Sequence, residues 1–253
     1  MQTKSKVNNS AKQHTNTHLN RLIIAAMLSA LAAALMFFEV PLPFIAPDFY
    51  KLDFSEIPVL IGGFSLGPVW AIVMELVKIL LKFVLKGTMT AGVGELANFL
   101  MGCAFVVPAS LLYKWKKKRS MALIGMGIGT VAMAVAAVFL NAYLLLPAYA
   151  AAFKMPMEAF VQMGSAINPN IDGLLSFVIL AVAPFNLVKG ILVSISFICA
   201  LYNIAGIEYK IYKINIGTIF LKYFLLISTL LFKYPVDIKN NGIHAKNNCC
   251  NIV

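Results

Sequence analysis

Residues 94–146 read GELANFLMGCAFVVPASLLYKWKKKRSMALIGMGIGTVAMAVAAVFLNAYLLL. Two apolar runs, 94–113 and 121–146, flank one basic cluster of Lys114, Lys116, Lys117, Lys118 and Arg119. About 20 apolar residues are enough for a helix to cross the hydrocarbon core of a bilayer. Lys and Arg collect on the cytoplasmic side of such helices. The stretch therefore predicts two antiparallel membrane helices joined by a short cytoplasmic connection.

The rest of the chain carries the same signature. Of its 253 residues, 60% are apolar and 12% are charged, against about 45–50% and about 25% in soluble domains. These figures exclude a disordered chain, a secreted disulfide scaffold and an ordinary soluble enzyme. A net charge of +11 would suggest nucleic acid in a soluble protein. Here the basic residues flank apolar runs, so the charge sets membrane orientation instead.

Toward the N-terminus, a helix over 68–86 starts at Gly67-Pro68, a good first turn, and closes with Lys82 and Lys86. Ile57 to Leu66 is apolar but too short to span alone. Residues 39–56, EVPLPFIAPDFYKLDFSE, hold three prolines and four acids and predict a structured loop. Leu22 to Phe38 is the first apolar run. Bulky residues follow it where a signal-peptide cleavage site would be small, so it reads as a retained helix. Residues 1–18 are expected as a polar cytoplasmic tail.

Toward the C-terminus, Pro147 is expected to stop the helix over 121–146, and 147–184 to form a long loop with a short apolar stretch at 174–183. A sixth helix covers 185–204. Residues 205–253 form an atypical tail with a marginal apolar segment at 216–232. The expected fold is thus an all-α integral membrane protein with a six-helix domain over 19–204. With six spans, Lys4, Lys6, Lys12 and Arg21, the cluster at 114–119, and Lys210 with Lys213 all fall on one side, which makes the N-terminus cytoplasmic. Loops 39–56, 87–93 and 147–184 then face outward.

Polar residues within membrane helices are costly, so each is a candidate site. Glu75 lies on one helix face with Lys78 and Lys82 and reads as an internal ion pair. Glu95 and Asn98 share a face at the outer end of the fourth helix. Taken singly, each reads as a cap or an interhelical hydrogen bond. Asn141 lies at the outer end of the fifth helix, and Asn186 and Lys189 share a face at the start of the sixth. Together these three favour a ligand pocket open to the outside. Two amides and one ammonium, framed by Phe44, Phe54, Phe139, Tyr143 and Phe185, suit a planar heteroaromatic with an amide-like edge. Ala26 and Ala30, with Ala34, make a small-residue stripe on the first helix; it suits close helix approach, or is plain apolar filler.

Cys103 and Cys199 lie in apolar runs, Cys249 and Cys250 are adjacent, and His14, His18 and His244 are in the terminal segments. That spacing offers no metal site. There is no G-x-x-x-x-G-K-[ST], no G-x-S-x-G and no H-E-x-x-H. No enzyme activity or cofactor is expected, and active transport would draw its energy from a partner or an ion gradient.

Over about residues 19–204 the chain resembles the riboflavin-specific substrate-binding (S) components of energy-coupling-factor (ECF) vitamin transporters. The resemblance rests on KLDFSEIPVLIGGFSLGP (51–68), GTMTAGVGELANFLMG (87–102), LNAYLLLPAY (140–149) and APFNLVKG (183–190), in that order. It implies six helices, both termini in the cytoplasm and riboflavin bound from outside as transported ligand, in a prokaryotic cytoplasmic membrane. It also implies a transmembrane coupling subunit and two ATP-binding-cassette ATPase subunits as partners. By resemblance, Asn141, Asn186 and Lys189 hold the polar edge of the isoalloxazine ring. Glu95 and Asn98 lie near the ribityl chain. The loop around Lys51, Leu52 and Asp53 acts as a lid, and Ala26 and Ala30 dock the coupling subunit. The tail after residue 206 departs from the family. An S component for another vitamin or a nucleobase, or a stand-alone carrier, are the alternatives; no internal repeat supports the latter.

Overall fold

In the computed structural model, residues 2–208 apart from Met89 are described, with side chains from residue 18 to 201. The apolar segment 216–232 and the rest of the tail from 209 lie outside the described residues. Contacts divide the chain into Met1–Ile198 and Cys199–Val253.

Helix α1 runs Gln2–Met36. It continues back through residues expected as a polar tail, because extending an existing helix costs far less than starting one. A two-stranded antiparallel ribbon follows, β1 (Val40–Pro41) paired with β2 (Lys51–Leu52), Val40 opposite Leu52. It is the one strand pair among the described residues. Then come α2 (Glu56–Leu66) and α3 (Pro68–Lys86). They are joined at Gly67, whose φ of 105° is a conformation that glycine adopts without strain. Helices α4 (Val93–Trp115) and α5 (Arg119–Leu140) form the hairpin read from the basic cluster.

Among the described residues, four helical stretches are long and apolar enough to cross a membrane: His18–Met36, Val93–Trp115, Arg119–Phe153 and Leu174–Leu201. The count differs from six for a physical reason. Helix α2 has 11 residues and reaches only about 16 Å at 1.5 Å per residue. Helix α3 carries Glu75, Lys78, Lys82 and Lys86.

Pro147, expected to stop a helix, does not, and neither does Pro184. After α5 a π-helical turn over Asn141–Leu145 leads into α6 (Leu146–Phe153). After the short α8 (Leu174–Phe177), a second π turn over Val178–Val182 leads into α9 (Ala183–Glu208). In each case the proline, Pro147 or Pro184, follows the π turn closely. Proline has no N–H to give, and the wider turn before it takes up the mismatch within a continuous helix. Residues 147–184, expected as a loop, are therefore mostly helical, including α7 (Met157–Ser165).

The main core draws on residues from α1 through α9, among them Leu60, Met74, Phe105, Met126, Phe177 and Val182, all nearly inaccessible. Helices α4 and α5 approach closely because Gly129 lies against the Phe105 carbonyl, where an added Cβ would be 2.3 Å away.

Candidate functional site

The loop expected as a lid folds onto the C-terminal end of α5 and the start of α9. Its ribbon fixes both ends, and Ala46 and Leu52 bury against Phe185 of α9, with Leu42, Ile45 and Tyr50 packed around them. The Tyr50 ring lies 5.6 Å from that of Phe185, and its hydroxyl donates to Asn141 Oδ1 at 2.6 Å. Burial pushes the Tyr50 phenol well above its ordinary pKa, with the nearby Tyr149 adding to the shift, so it stays a donor. Phe49 packs edge-on to Phe160, centroids 5.8 Å apart. At the start of the loop, Glu39 pairs with Lys82 at 2.5 Å, Lys51 at 3.3 Å and Lys86 at 3.5 Å. Burial raises the Glu39 carboxyl, but Lys82 and then Lys86 and Lys51 more than offset it and hold it below its usual range.

Asn141, Asn186 and Lys189 are all buried, at 2%, 3% and 4% exposure. Asn141 is the first residue of one π turn, and Asn186 follows the other by four. Each amide donates back one turn, Asn141 Nδ2 to the Ala137 carbonyl at 2.8 Å and Asn186 Nδ2 to the Val182 carbonyl at 2.9 Å. These bonds orient the two amides. Lys189 Nζ reaches Asp53 Oδ2 in the lid at 3.1 Å. The second oxygen of Asp53 accepts the Ser55 backbone N–H at 2.9 Å and also the Ser55 hydroxyl. Burial would raise the Asp53 carboxyl; Lys189 foremost, then Lys78 and Ser55, hold it far below the usual carboxylate range. The lid thus brings Leu52, Asn141, Asn186 and Lys189 into one region.

Glu95 is held by two threonine hydroxyls. Its Oε2 accepts Thr88 Oγ1 at 2.9 Å and Thr90 Oγ1 at 3.2 Å. Thr88 Oγ1 in turn accepts the N–H groups of Thr90 and Gly92, and Thr90 Oγ1 that of Gly94. Glu95 therefore braces the turn that begins α4, in line with the cap reading. Asn98, three residues on, is half-buried.

The aromatic frame expected from sequence is largely replaced. Phe185 is buried, but Phe44, Phe139 and Tyr143 are 72%, 60% and 81% exposed, and Phe54 is also exposed. The helical faces bearing Phe139 and Tyr143 point away from Asn141. Tyr50 packs on Phe185 instead, and Phe49 links Tyr50 to Tyr149 and Phe160. Tyr50, Thr88 and Thr90 were not singled out from the sequence, and Asp53 was read only as part of the lid, without its pairing to Lys189. A signal existed for Asp53, an acid set between Leu52 and Phe54, because a buried acid demands a partner.

Glu75 pairs with Lys78 at 2.6 Å, as expected, and Glu56 completes the cluster at 3.0 Å. Lys82 turns instead to Glu39. On α1, Ala26 and Ala30 are exposed, while Ala25, Ser29, Ala32 and Ala33 are buried. Among the described residues, no group of His, Cys, Asp or Glu is placed to hold a metal ion.

The described residues thus combine helices long and apolar enough to cross a bilayer with a loop packed over two buried amides and a buried ammonium. The chain belongs to the ECF transporter substrate-specific component family, whose model matches residues 20–201. It is 36% identical over 186 residues to the riboflavin transporter RibU of Staphylococcus aureus (strain TCH60), covering 74% of this chain and 90% of that protein. It is 32% identical over 180 residues to the riboflavin transporter FmnP of Bacillus subtilis (strain 168), covering 71% and 88%. Its fold is similar to the solved S component of a bacterial ECF transporter, with a TM-score of 0.59 at 35% identity, over 75% of this chain and 98% of that one.

Proposed function

We propose that the protein is a riboflavin-binding S component that takes up riboflavin together with an ATP-driven ECF coupling module. The observation that carries the reading is the convergence of Asn141, Asn186 and Lys189, from two separate helices, under one lid. An amide presents a donor and an acceptor side by side, and so matches the alternating C=O and N–H groups of an isoalloxazine edge. The names of the relatives in Staphylococcus aureus and Bacillus subtilis support the same ligand.

In this reading the protein sits in a prokaryotic cytoplasmic membrane with its N-terminus inside and six helices in the bilayer, α2 and α3 among them. Riboflavin enters from outside while the lid over 39–55 is open. Its ring displaces Tyr50 from Asn141, and its carbonyl edge takes N–H donors from the amides and from Lys189. Leu52 and Phe185 cover the ring, and Asn98 lies toward the ribityl chain, with Glu95 bracing the turn beside it. Closure of the lid removes the ligand from water. The protein then turns against a transmembrane coupling subunit that docks on Ala26 and Ala30, while two ATP-binding-cassette ATPase subunits supply the energy. The exposure of these two alanines on α1 supports that face. Removal of the Asn141 amide by Asn141→Ala tests the reading: riboflavin affinity should fall at least tenfold, and unchanged affinity would refute the site.

A further inference from the structure

The site contains an ammonium, yet among the described residues it offers no unmatched positive charge. Lys189 Nζ is 3.1 Å from Asp53 Oδ2, with side chains 5% and 2% exposed. The neighbouring buried cation, Lys78, is matched by Glu56 at 3.0 Å and Glu75 at 2.6 Å. Lys82, on the same helix, is matched by Glu39. Asp53 is also aimed: Ser55 holds one carboxylate oxygen through two bonds and leaves the other for Lys189. An ammonium has three N–H donors. Asp53 uses one, so Lys189 can donate to a ligand carbonyl without releasing its counter-ion.

We propose that Asp53 sets the charge selectivity of the site, so that it holds a neutral ring and rejects the same ring as an anion. This rests on the flavin reading above. Specificity is a difference of affinities, and a group that repels the wrong ligand contributes as much as one that attracts the right one. An unpaired Lys189 in this water-poor site would favour an anion at the ring edge. The carboxylate beside it cancels that preference, and its own charge faces any added negative charge.

Riboflavin supplies both forms of the probe. The oxidised ring is neutral. Two electrons and one proton convert it, in mildly alkaline solution, into a hydroquinone whose negative charge spreads over N1 and the C2 carbonyl. The midpoint potential of protein-bound riboflavin, measured anaerobically against free riboflavin at the same pH, reports the ratio of the two affinities. A tenfold ratio is about 30 mV for a two-electron couple. The wild type should hold the neutral form at least tenfold tighter, which lowers the bound potential by about 30 mV or more. Asp53→Asn should move it back up by a similar amount, and Asp53→Glu should stay near wild type. A wild-type potential at or above that of free riboflavin would overturn the proposal, and so would an Asp53→Asn protein that binds riboflavin with an unshifted potential. If Asp53→Asn fails to fold, the wild-type potential decides alone. No riboflavin binding by the folded wild type would refute the flavin reading itself, a result distinct from binding with the wrong potential.

Discussion

Tyr50 and Asn141 are 91 residues apart in sequence and 2.6 Å apart in space, the phenol donating to the amide oxygen. The lid is therefore closed by the same polar group that the ligand is expected to need. Tyr50→Phe keeps the ring against Phe185 and removes the competing bond. A hydrogen bond is worth about 1 kcal/mol net, so riboflavin should bind a few-fold more tightly to Tyr50→Phe than to wild type. Flavin fluorescence titration checks this; weaker binding would show that Tyr50 holds the ligand rather than yielding to it.

Asp53 gives the lid an acid limit. Its carboxyl is held far below the usual range in the folded protein, by Lys189 above all, and ionises near pH 3.9 when unfolded. A lowered folded pKa means that the stabilisation is fully present above the unfolded value and is lost as pH falls through the folded one. Thermal stability in detergent should be flat from pH 8 to 5 in this respect and decline below about pH 4. Asp53→Asn should remove part of that decline while lowering stability at neutral pH.

Lys78 faces two buried carboxylates, Glu56 and Glu75. Its removal leaves both without a cation, a situation that costs about 3–5 kcal/mol. Lys78→Met should therefore give little folded protein, whereas Glu75→Gln, which leaves Lys78 paired with Glu56, should be mild. Yield and melting temperature of the purified proteins distinguish them; a well-folded Lys78→Met would show that the cluster is dispensable.

Gly127 and Gly129 are two residues apart on α5 and should respond oppositely to alanine. A Cβ at Gly129 would meet the Phe105 carbonyl at 2.3 Å, and one at Gly127 meets nothing within 4 Å. Gly127→Ala should stabilise by about 0.5–1 kcal/mol through helix propensity. Gly129→Ala should destabilise by forcing α4 and α5 apart. Melting curves of the two variants decide it.

The exposed face of α1 should be separable from the site. Ala26→Trp with Ala30→Trp should leave riboflavin binding unchanged and abolish co-purification with the coupling module. Intact assembly would remove the docking role.

Much of this was legible in the sequence because the bilayer imposes simple rules. Apolar length and the cluster at Lys114–Arg119 identified α4 and α5, and the rarity of buried polar residues singled out Asn141, Asn186 and Lys189. Pro147 misled, because proline ends a helix only when the turn before it stays tight, and a π turn accommodates it, as a second one does Pro184. The aromatic frame was mistaken because proximity in sequence says nothing about helix face: Tyr143 is two residues from Asn141 and points away. Tyr50 and Asp53 depend on how the lid folds back over more than 80 residues of chain, and no local pattern encodes that contact. Glu95 was placed correctly at the start of its helix, but its threonine partners, Thr88 and Thr90, read only as turn residues.

One flavin per chain should bind under the lid. The most direct test is titration of the detergent-purified protein with riboflavin while flavin fluorescence and visible absorption are followed. Saturable quenching near one flavin per chain, weakened at least tenfold in Asn141→Ala, is the predicted result. A folded protein that leaves riboflavin fluorescence unchanged at every concentration would contradict it.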